Sequence, residues 1–442
     1  MTDTGATGLT ANDLAVSIIR RLRESGHVAY LTGGCVRDLL LGRTAKDFDV
    51  ATSARPDELL RLFPGSGQVG AHFGVVLVHQ SGTQVEVATF RSDLEYRDGR
   101  HPDGVHFESD PRQDALRRDF TINALLLDPV GGEVLDFVGG RADLNAKLIR
   151  AIGEPERRFR EDHLRLLRAV RFAARLGFEI EPETFAAIQR LAPLIHGVSA
   201  ERVRDEVARI LTEGGPRRGF ELLDATGLLG EVLPEVAALK GVEQPPEFHP
   251  EGDVWKHTLI MLDGLRNPSI ELALGVLLHD IGKPATFRVA ERIRFDGHVE
   301  KGIEIAHAVL MRLRFPHHAI DAVEALIANH MKFMEVPRMR ESTLKRFMRQ
   351  PDFEEHMELH RLDCLSSHGG LDNYEFVRRK QQEVPPEQLK PAPLLTGREL
   401  IAAGYRPGPM FGTVLSEIED AQLEGRISTA EEAMEIARAR LD

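Results

Sequence analysis

Apolar positions alternate with polar ones in short runs over the first 140 residues, and then recur at helical spacing for the rest of the chain. Ahead of the change, a helix is expected near Asn12–Glu24, a strand at "HVAYLTG", a helix starting near Cys35 and a strand at "DFDVAT". "GVVLVHQ" and "TQVEVATFR", divided by "SGT", read as a hairpin. From "RADLNAKLIRAIG" onward strand signals stop. One long helix is expected over Arg160–Leu176, with Leu164, Leu167, Val170 and Ala174 on its apolar face. Proline clusters in "EQPPEFHPEGD" and in "EVPPEQLKPAPLLTG" (Glu383–Gly397) mark two linkers.

With 442 residues, 42% of them hydrophobic, the chain has room for two to four packed domains. No apolar run approaches the roughly 18 residues of a membrane span, and the N-terminus lacks the basic start and apolar stretch of a signal peptide, so a cytoplasmic location is expected. Two cysteines, Cys35 and Cys364, exclude a disulfide framework and a Cys-rich zinc site. The net charge of −13 counts against nucleic acid, yet residues 146–175 carry nine basic side chains against four acidic, a local +5.

"LTGGCVRDLLLGRTAKDFDVAT" carries the first candidate chemistry. Gly33 and Gly34 stand between a strand and a helix, where backbone N–H groups and the helix dipole suit a triphosphate, although a glycine pair alone is as well a plain turn. Asp47 and Asp49 in one strand would share a face with Phe48 turned to the core, and two crowded carboxylates suit a divalent cation. Glu86, between Val85 and Val87, is a candidate third carboxylate and equally an exposed strand residue. Asp162 and Arg165, three apart on the expected helix, could meet the edge of one base or form an ordinary surface ion pair.

"GGCVRDLLLGRTAKDFDVAT", "RRDFTINALLLD" (Arg117–Asp128) and "RFREDHLRLLRAVRFAARLGFEI" (Arg158–Ile180) resemble, in order and spacing, the motifs of the class II tRNA nucleotidyltransferase and bacterial poly(A) polymerase family. The resemblance implies an α+β protein: a polymerase β-like mixed-sheet head at 1–140, a helical neck and body at 141–241, a further domain at 242–370 and a helical tRNA-contacting tail at 371–442. It implies transfer of nucleotides from CTP and ATP to a tRNA 3′ hydroxyl without a nucleic-acid template, with Mg²⁺ on Asp47 and Asp49. By the same resemblance Gly33, Gly34 and Arg37 contact the triphosphate, Arg118 adds charge and Asp119 accepts from the ribose 2′ hydroxyl. Asp162 and Arg165 then select the base, with Arg168 and Arg171 continuing toward phosphate or support. The polar stretch Arg91–Asp110 resembles the mobile loop of members that complete CCA, against a CC-only enzyme; an A-adding enzyme or a poly(A) polymerase shares these motifs, though the basic tail of the latter is missing.

His279 and Asp280 in "LLHDIGKPAT" carry the signature of the HD phosphohydrolase superfamily, which residues 242–370 resemble. That likeness implies one divalent metal on His257, His279, Asp280 and Asp363, and a second site completed by His298 and His330. Mn²⁺, Ni²⁺, Mg²⁺ and Zn²⁺ all suit such donors. Hydrolysis of phosphate esters such as 2′,3′-cyclic phosphates is the implied chemistry. An RNA-binding or hydrolytic protein with an inactive head is the alternative from another class, and intact Asp47, Asp49, Asp162 and Arg165 speak against it.

Overall fold

The computed structural model describes residues 9–45, 47–68, 74–93, 104–245, 247, 250 and 252–442. Two compact units divide the chain, one ending at Ala237 and joined by Arg312–Phe315, the other formed by Ala238–Met311 and Pro316–Asp442. The expected boundaries at 140/141 and 370/371 each fall inside one of these units.

The first unit begins with α1 (Ala11–Glu24), whose start is fixed by a capping box in which Thr10 and Asp13 satisfy each other's backbone N–H. Its Leu14, Ala15, Ile18, Ile19 and Leu22 are buried at the period of one helix face. There follow β1 (Ala29–Thr32), α2 (Gly34–Leu40), β2 (Asp49–Thr52), α3 (Pro56–Leu62), β3 (Gly67–Gln68), β4 (Val75–Gln80), β5 (Thr83–Thr89), β6 (Arg91–Asp93), β7 (Val105–Phe107), α4 (Pro111–Leu116), β8 (Leu126–Leu127) and β9 (Val134–Leu135). Seven strands form one mixed sheet in the order β3-β4-β5-β2-β1-β8-β9. The expected hairpin is β4–β5, closed by Ser81 and Gly82, both at positive φ as its tight turn requires. Leu31, Val50, Val76 and Val87 are fully buried between sheet and helices, each worth about 1.5–3 kcal/mol of burial.

Helices then dominate: α5 (Gly140–Ala146), α6 (Pro155–Glu161), α7 (Arg165–Leu176), α8 (Pro182–Leu191), α9 (Ala200–Thr212), α10 (Pro216–Ala225), α11 (Leu228–Val232) and α12 (Pro234–Ala237). Strand pairing does not stop entirely, because β10 (Leu148–Ile149) and β11 (Glu179–Ile180) form a two-residue parallel ladder. The long helix expected over Arg160–Leu176 is two helices. Asp162 ends α6 in extended geometry (φ −144°, ψ 107°), and its carboxylate accepts the Leu164 N–H at 3.1 Å, competing with a continuous helix.

The second unit holds α13 (Val254–Gly264), α14 (Ile270–Leu278), α15 (Lys283–Thr286), the small ladder of β12 (Arg288–Val289) and β13 (Ile293–Arg294), α16 (His298–Arg312), α17 (His317–Asn329), α18 (Glu341–Met348), α19 (Phe353–Ser366), α20 (Asp372–Glu383), α21 (Pro386–Leu389), α22 (Gly397–Ala402), α23 (Pro409–Leu423) and α24 (Ala430–Leu441). The tail has its own core of Leu395, Leu400, Val414, Ile418, Ala433 and Ala437. It is tied to α18, where Lys345 Nζ donates to the Leu423 carbonyl at 2.6 Å and Arg346 pairs with Glu419 and Asp420. The expected linker Glu383–Gly397 thus includes a helical turn and the buried Leu395. Part of the other linker, and residues 94–103 of the expected mobile loop, lie outside the described residues. Among the described residues no helix is long and apolar enough to cross a membrane.

Two buried histidines of α19 make this unit acid-sensitive. His360 stacks on Phe333 at 4.3 Å, His356 lies against Phe353, and burial pushes each ring down to about 4. Unfolded, each takes a proton near pH 6.5, so their stabilisation is complete above that pH and is lost as pH falls through about 4. The stake is on the order of 3 kcal/mol per ring. The melting temperature should therefore drop steadily between pH 6.5 and 4, and His360→Phe, which keeps the stack, should flatten the decline; a parallel decline in the variant would refute this.

Candidate functional site

In the first unit, α2 starts directly behind β1, and this places Gly33 (φ 75°, ψ −138°), a conformation only glycine adopts freely, at the rim of a cavity of about 450 Å³. The cavity is lined by Gly33, Gly34, Asp49, Asp119 and Asp162, and by seven arginines, among them Arg37, Arg118, Arg165 and Arg168. Of the predicted head residues, Asp47, Glu86 and Arg171 are not in that lining.

Asp49 opens β2, paired across the parallel ladder with Glu86 and across the antiparallel one with Thr32. Burial, then the Glu86 and Asp47 charges, push its carboxyl up to about 6 against the pull of Arg118. Asp47 precedes the strand and is exposed, and Phe48 is half-buried rather than in the core. Glu86 is exposed on the neighbouring strand. Among the described residues no three donors of the head lie within 4.8 Å of one another, but a half-buried carboxyl crowded by two others is a donor set that a cation would relieve.

Every predicted arginine of this cavity is already paired. Arg37, 2% exposed, donates to Asp38 and to the Asn123 Oδ1 at 2.7 Å. Arg118 and Arg117 share the two oxygens of buried Asp114, which they hold below the usual carboxylate range although burial alone would raise it. Asp119 is likewise buried, yet Arg168, at 2.5 Å through Nη2, and the Asn123 amide bring it down to about 2. Asp119 is therefore an ionised acceptor at any working pH. Arg165 donates to Glu161 at 2.8 Å and to the Arg158 and Arg117 carbonyls. Arg171 is buried against Glu206 at 2.6 Å, a supporting position. Asp162 and Arg165 both reach the cavity, though through the turn between α6 and α7 and not from one helix face. Reading the sequence missed Asn123, which joins Arg37, Arg118 and Asp119, and Arg202, which pairs with Asp162 at 2.9 Å. Asn123 lay inside a quoted motif; Arg202, 40 residues from Asp162, left no local signal.

In the second unit five helices or helix ends bring together His257, His279, Asp280, His298, His330 and Asp363. Two triads form, His257–His279–Asp280 and Asp280–His298–His330, each with donor atoms within 4.8 Å. Asp280 belongs to both: its Oδ2 faces His279 Nε2 at 3.1 Å and Lys283 Nζ at 2.7 Å, and its Oδ1 faces His298 and His330 at 3.9 and 4.0 Å. Asp363 sits 3.2 Å from His257 Nε2. The Nδ1 atoms of His279, His298 and His330 lie 2.9, 3.0 and 2.7 Å from the carbonyls of Val276, Phe295 and Ile327. A carbonyl only accepts, so each Nδ1 carries a proton and each Nε2 is left to face the centre. Burial lowers His298, and brings His330 down to about 4, which leaves both neutral. Asp280 and Asp363 are buried, which would raise them, yet neighbouring cations and imidazoles hold both well below the usual range. Ionised carboxylates, and neutral imidazoles such as His298 and His330, are the form in which metal ligands bind.

Three family models match the chain: "Poly A polymerase head domain" over residues 29–150, "Probable RNA and SrmB- binding site of polymerase A" over 177–240 and "HD domain" over 253–365. The CCA-adding enzyme of Levilactobacillus brevis is 32% identical over 96% of both chains. The CC-adding tRNA nucleotidyltransferase of Thermus thermophilus is 35% identical over 92% of both. The crystal structure of the Bacillus stearothermophilus CCA-adding enzyme in complex with CTP covers 96% of this chain and 97% of its own at 30% identity, with a TM-score of 0.74. Such likeness along nearly the whole length places the chain in the family of CCA- and CC-adding tRNA nucleotidyltransferases, with a polymerase-type head and an HD domain.

Proposed function

We propose that this protein completes the CCA end of tRNA from CTP and ATP without a nucleic-acid template, releasing pyrophosphate. The observation that carries this reading is one cavity holding the glycine turn, Asp49, Asp119, Asp162 and Arg165 together. Triphosphate oxygens would lie against the N–H groups at the start of α2 and the arginines around it. Asp119, fixed by Arg168 and Asn123, would accept from the ribose 2′ hydroxyl and so favour ribonucleotides. Asp162 would accept from an exocyclic amine, which cytosine and adenine have and uracil lacks, while Arg165 donates to the neighbouring ring nitrogen. Asp47 and Asp49, with Glu86 beside them, would hold Mg²⁺, which when bound offsets the charge that builds on the transferring phosphate.

The deciding experiment supplies tRNA lacking its three terminal nucleotides with CTP, ATP or both, and sizes the products. Two added residues with CTP alone and three with both nucleotides are expected. Two with both would make this a CC-adding enzyme, as its Thermus thermophilus relative is named. Growth only on a CC end points to an A-adding enzyme, and a long tail of A to a poly(A) polymerase. Gly33→Ala should slow addition at least tenfold while lowering the melting temperature only a few degrees, because the new Cβ has room, 3.5 Å from Asp49 and Arg118, but the backbone φ costs about 1–3 kcal/mol. Wild-type rates in that variant would remove the glycine turn from the nucleotide site.

For the second unit the reading is a metal-dependent phosphohydrolase acting on phosphate esters such as 2′,3′-cyclic ends. His257, His279, Asp280 and Asp363 would hold one divalent ion and His298 and His330 with Asp280 a second, of Mn²⁺, Ni²⁺, Mg²⁺ or Zn²⁺. Cys35 and Cys364 are both unpaired and buried, which fits the cytoplasm.

A further inference from the structure

Asp114, in the short helix α4, is 1% exposed and absent from the lining of the nucleotide cavity, yet the two arginines it holds both reach that cavity. Arg117 directs Nε and Nη2 to its Oδ1, at 2.9 and 2.6 Å, and Arg118 directs Nε and Nη2 to its Oδ2, at 3.2 and 3.0 Å. The remaining nitrogen of Arg118, Nη1, donates to the Asn123 carbonyl at 3.2 Å, which uses one of its two N–H groups. A Cβ placed on Gly33 would lie 3.5 Å from this Nη1 and 3.5 Å from the Asp49 Oδ2, so Nη1 faces the glycine turn beside the carboxylate. A guanidinium is a rigid plane, and holding one edge decides where the opposite edge points. Buried charges of this kind stabilise a fold little better than apolar side chains of similar volume, so packing alone gives no reason for an acid here.

We propose that Asp114 is the positioning residue for the triphosphate: it grips one edge of Arg118 and so holds the other edge toward the glycine turn, where a phosphate oxygen would lie. This rests on the reading of the cavity as a nucleoside triphosphate site. A free arginine side chain would give up its rotamer freedom each time a nucleotide bound, whereas this one is ordered beforehand by an acid the nucleotide never touches. The contribution goes to the phosphates. Base choice lies with other groups, Asp162 and Arg165, so every nucleotide gains equally from Asp114. Arginine is also required at position 118, because only a two-edged cation can meet Asp114 and a phosphate at once.

The test uses the full-length protein with Asp114→Asn, Arg118→Met and Arg118→Lys, measuring KM for CTP and ATP on the matching tRNA ends. Without RNA, at one fixed Mg²⁺ concentration, it measures equilibrium binding of CTP, UTP and inorganic tripolyphosphate. D114N should weaken CTP, UTP and tripolyphosphate alike by about tenfold and raise both KM values to match, leaving the ratio of CTP to UTP affinity within about twofold of the wild type. R118M should do the same, and D114N in the R118M background should add nothing, since Asp114 acts through that guanidinium. R118K should bind tripolyphosphate no better than R118M, its one ammonium being taken by Asp114. Unchanged tripolyphosphate affinity in folded D114N, a CTP to UTP ratio altered tenfold, additive losses in the double variant, or wild-type affinity in R118K would each overturn the proposal. Should D114N fail to fold, R118K, which preserves the ion pair, decides alone. A wild type inactive on tRNA would refute the CCA reading while tripolyphosphate binding still judges Asp114; a wild type that binds neither CTP nor tripolyphosphate overturns the triphosphate site and the proposal with it.

Discussion

Asp49→Asn should reduce nucleotide addition by at least about 10³-fold while leaving the fold intact. The carboxylate is crowded by Glu86 and Asp47 and half relieved by Arg118, so removing its charge takes away repulsion along with function. The melting temperature of D49N should equal or exceed that of the wild type, whereas neutralising a carboxylate with a cationic partner, such as Asp119 paired with Arg168, would cost several kcal/mol. The pushed-up Asp49 also sets a pH limit. Below about 6 it is protonated in the free protein and competes with cation binding, so activity should fall on the acid side, with excess Mg²⁺ moving that limb to lower pH. D49N retaining a tenth of wild-type turnover, or an acid limb indifferent to Mg²⁺, would remove Asp49 from the centre of the chemistry.

Asp280→Asn is the change with the largest expected effect on the second unit, because that carboxylate is common to both triads. Hydrolysis of a 2′,3′-cyclic nucleotide should fall below detection with each of the four metals, and CCA addition should persist. Lys283 complicates the single variant: its ammonium lies 2.7 Å from Asp280, and leaving it buried and uncompensated costs about 3–5 kcal/mol. Asp280→Asn with Lys283→Met removes both charges and should restore the melting temperature without restoring hydrolysis. Hydrolysis surviving in the double variant would move the chemistry elsewhere; CCA addition lost in a folded D280N would show that the two activities are coupled.

The order of elements in the head was legible because alternation and turn chemistry are local. The β4–β5 hairpin needed only two alternating runs and a Ser-Gly pair able to hold positive φ. The six His and Asp residues of the second unit were found for a different reason, since the pair in "LLHDIGKPAT" carries the likeness to the HD superfamily, and that likeness pointed to the other four, which the structure draws close to it. What escaped was spatial. The local +5 of residues 146–175 suggests an open basic face, but Arg171 is met by Glu206, Arg168 by Asp119 and Arg150 by Asp143, acids supplied from outside that window. Asp47 and Asp49 were assigned to one strand, whereas the strand begins only at Asp49. Asp162 and Arg165 do share a cavity, for a reason that helical periodicity cannot express.

The break at Asp162 also governs how this site can be dissected. On either side of the turn lie α6 and α7, in a stretch whose apolar spacing suits an uninterrupted helix, and what interrupts it is a carboxylate capping the Leu164 N–H. Alanine is the strongest helix former and cannot cap. Asp162→Ala would thus invite the two segments to propagate into one rod, swinging Arg165 off the cavity, and a loss of base selection in that variant would report a backbone rearrangement as much as a missing oxygen. Asparagine retains the capping oxygen and the turn, so it alone isolates the charge.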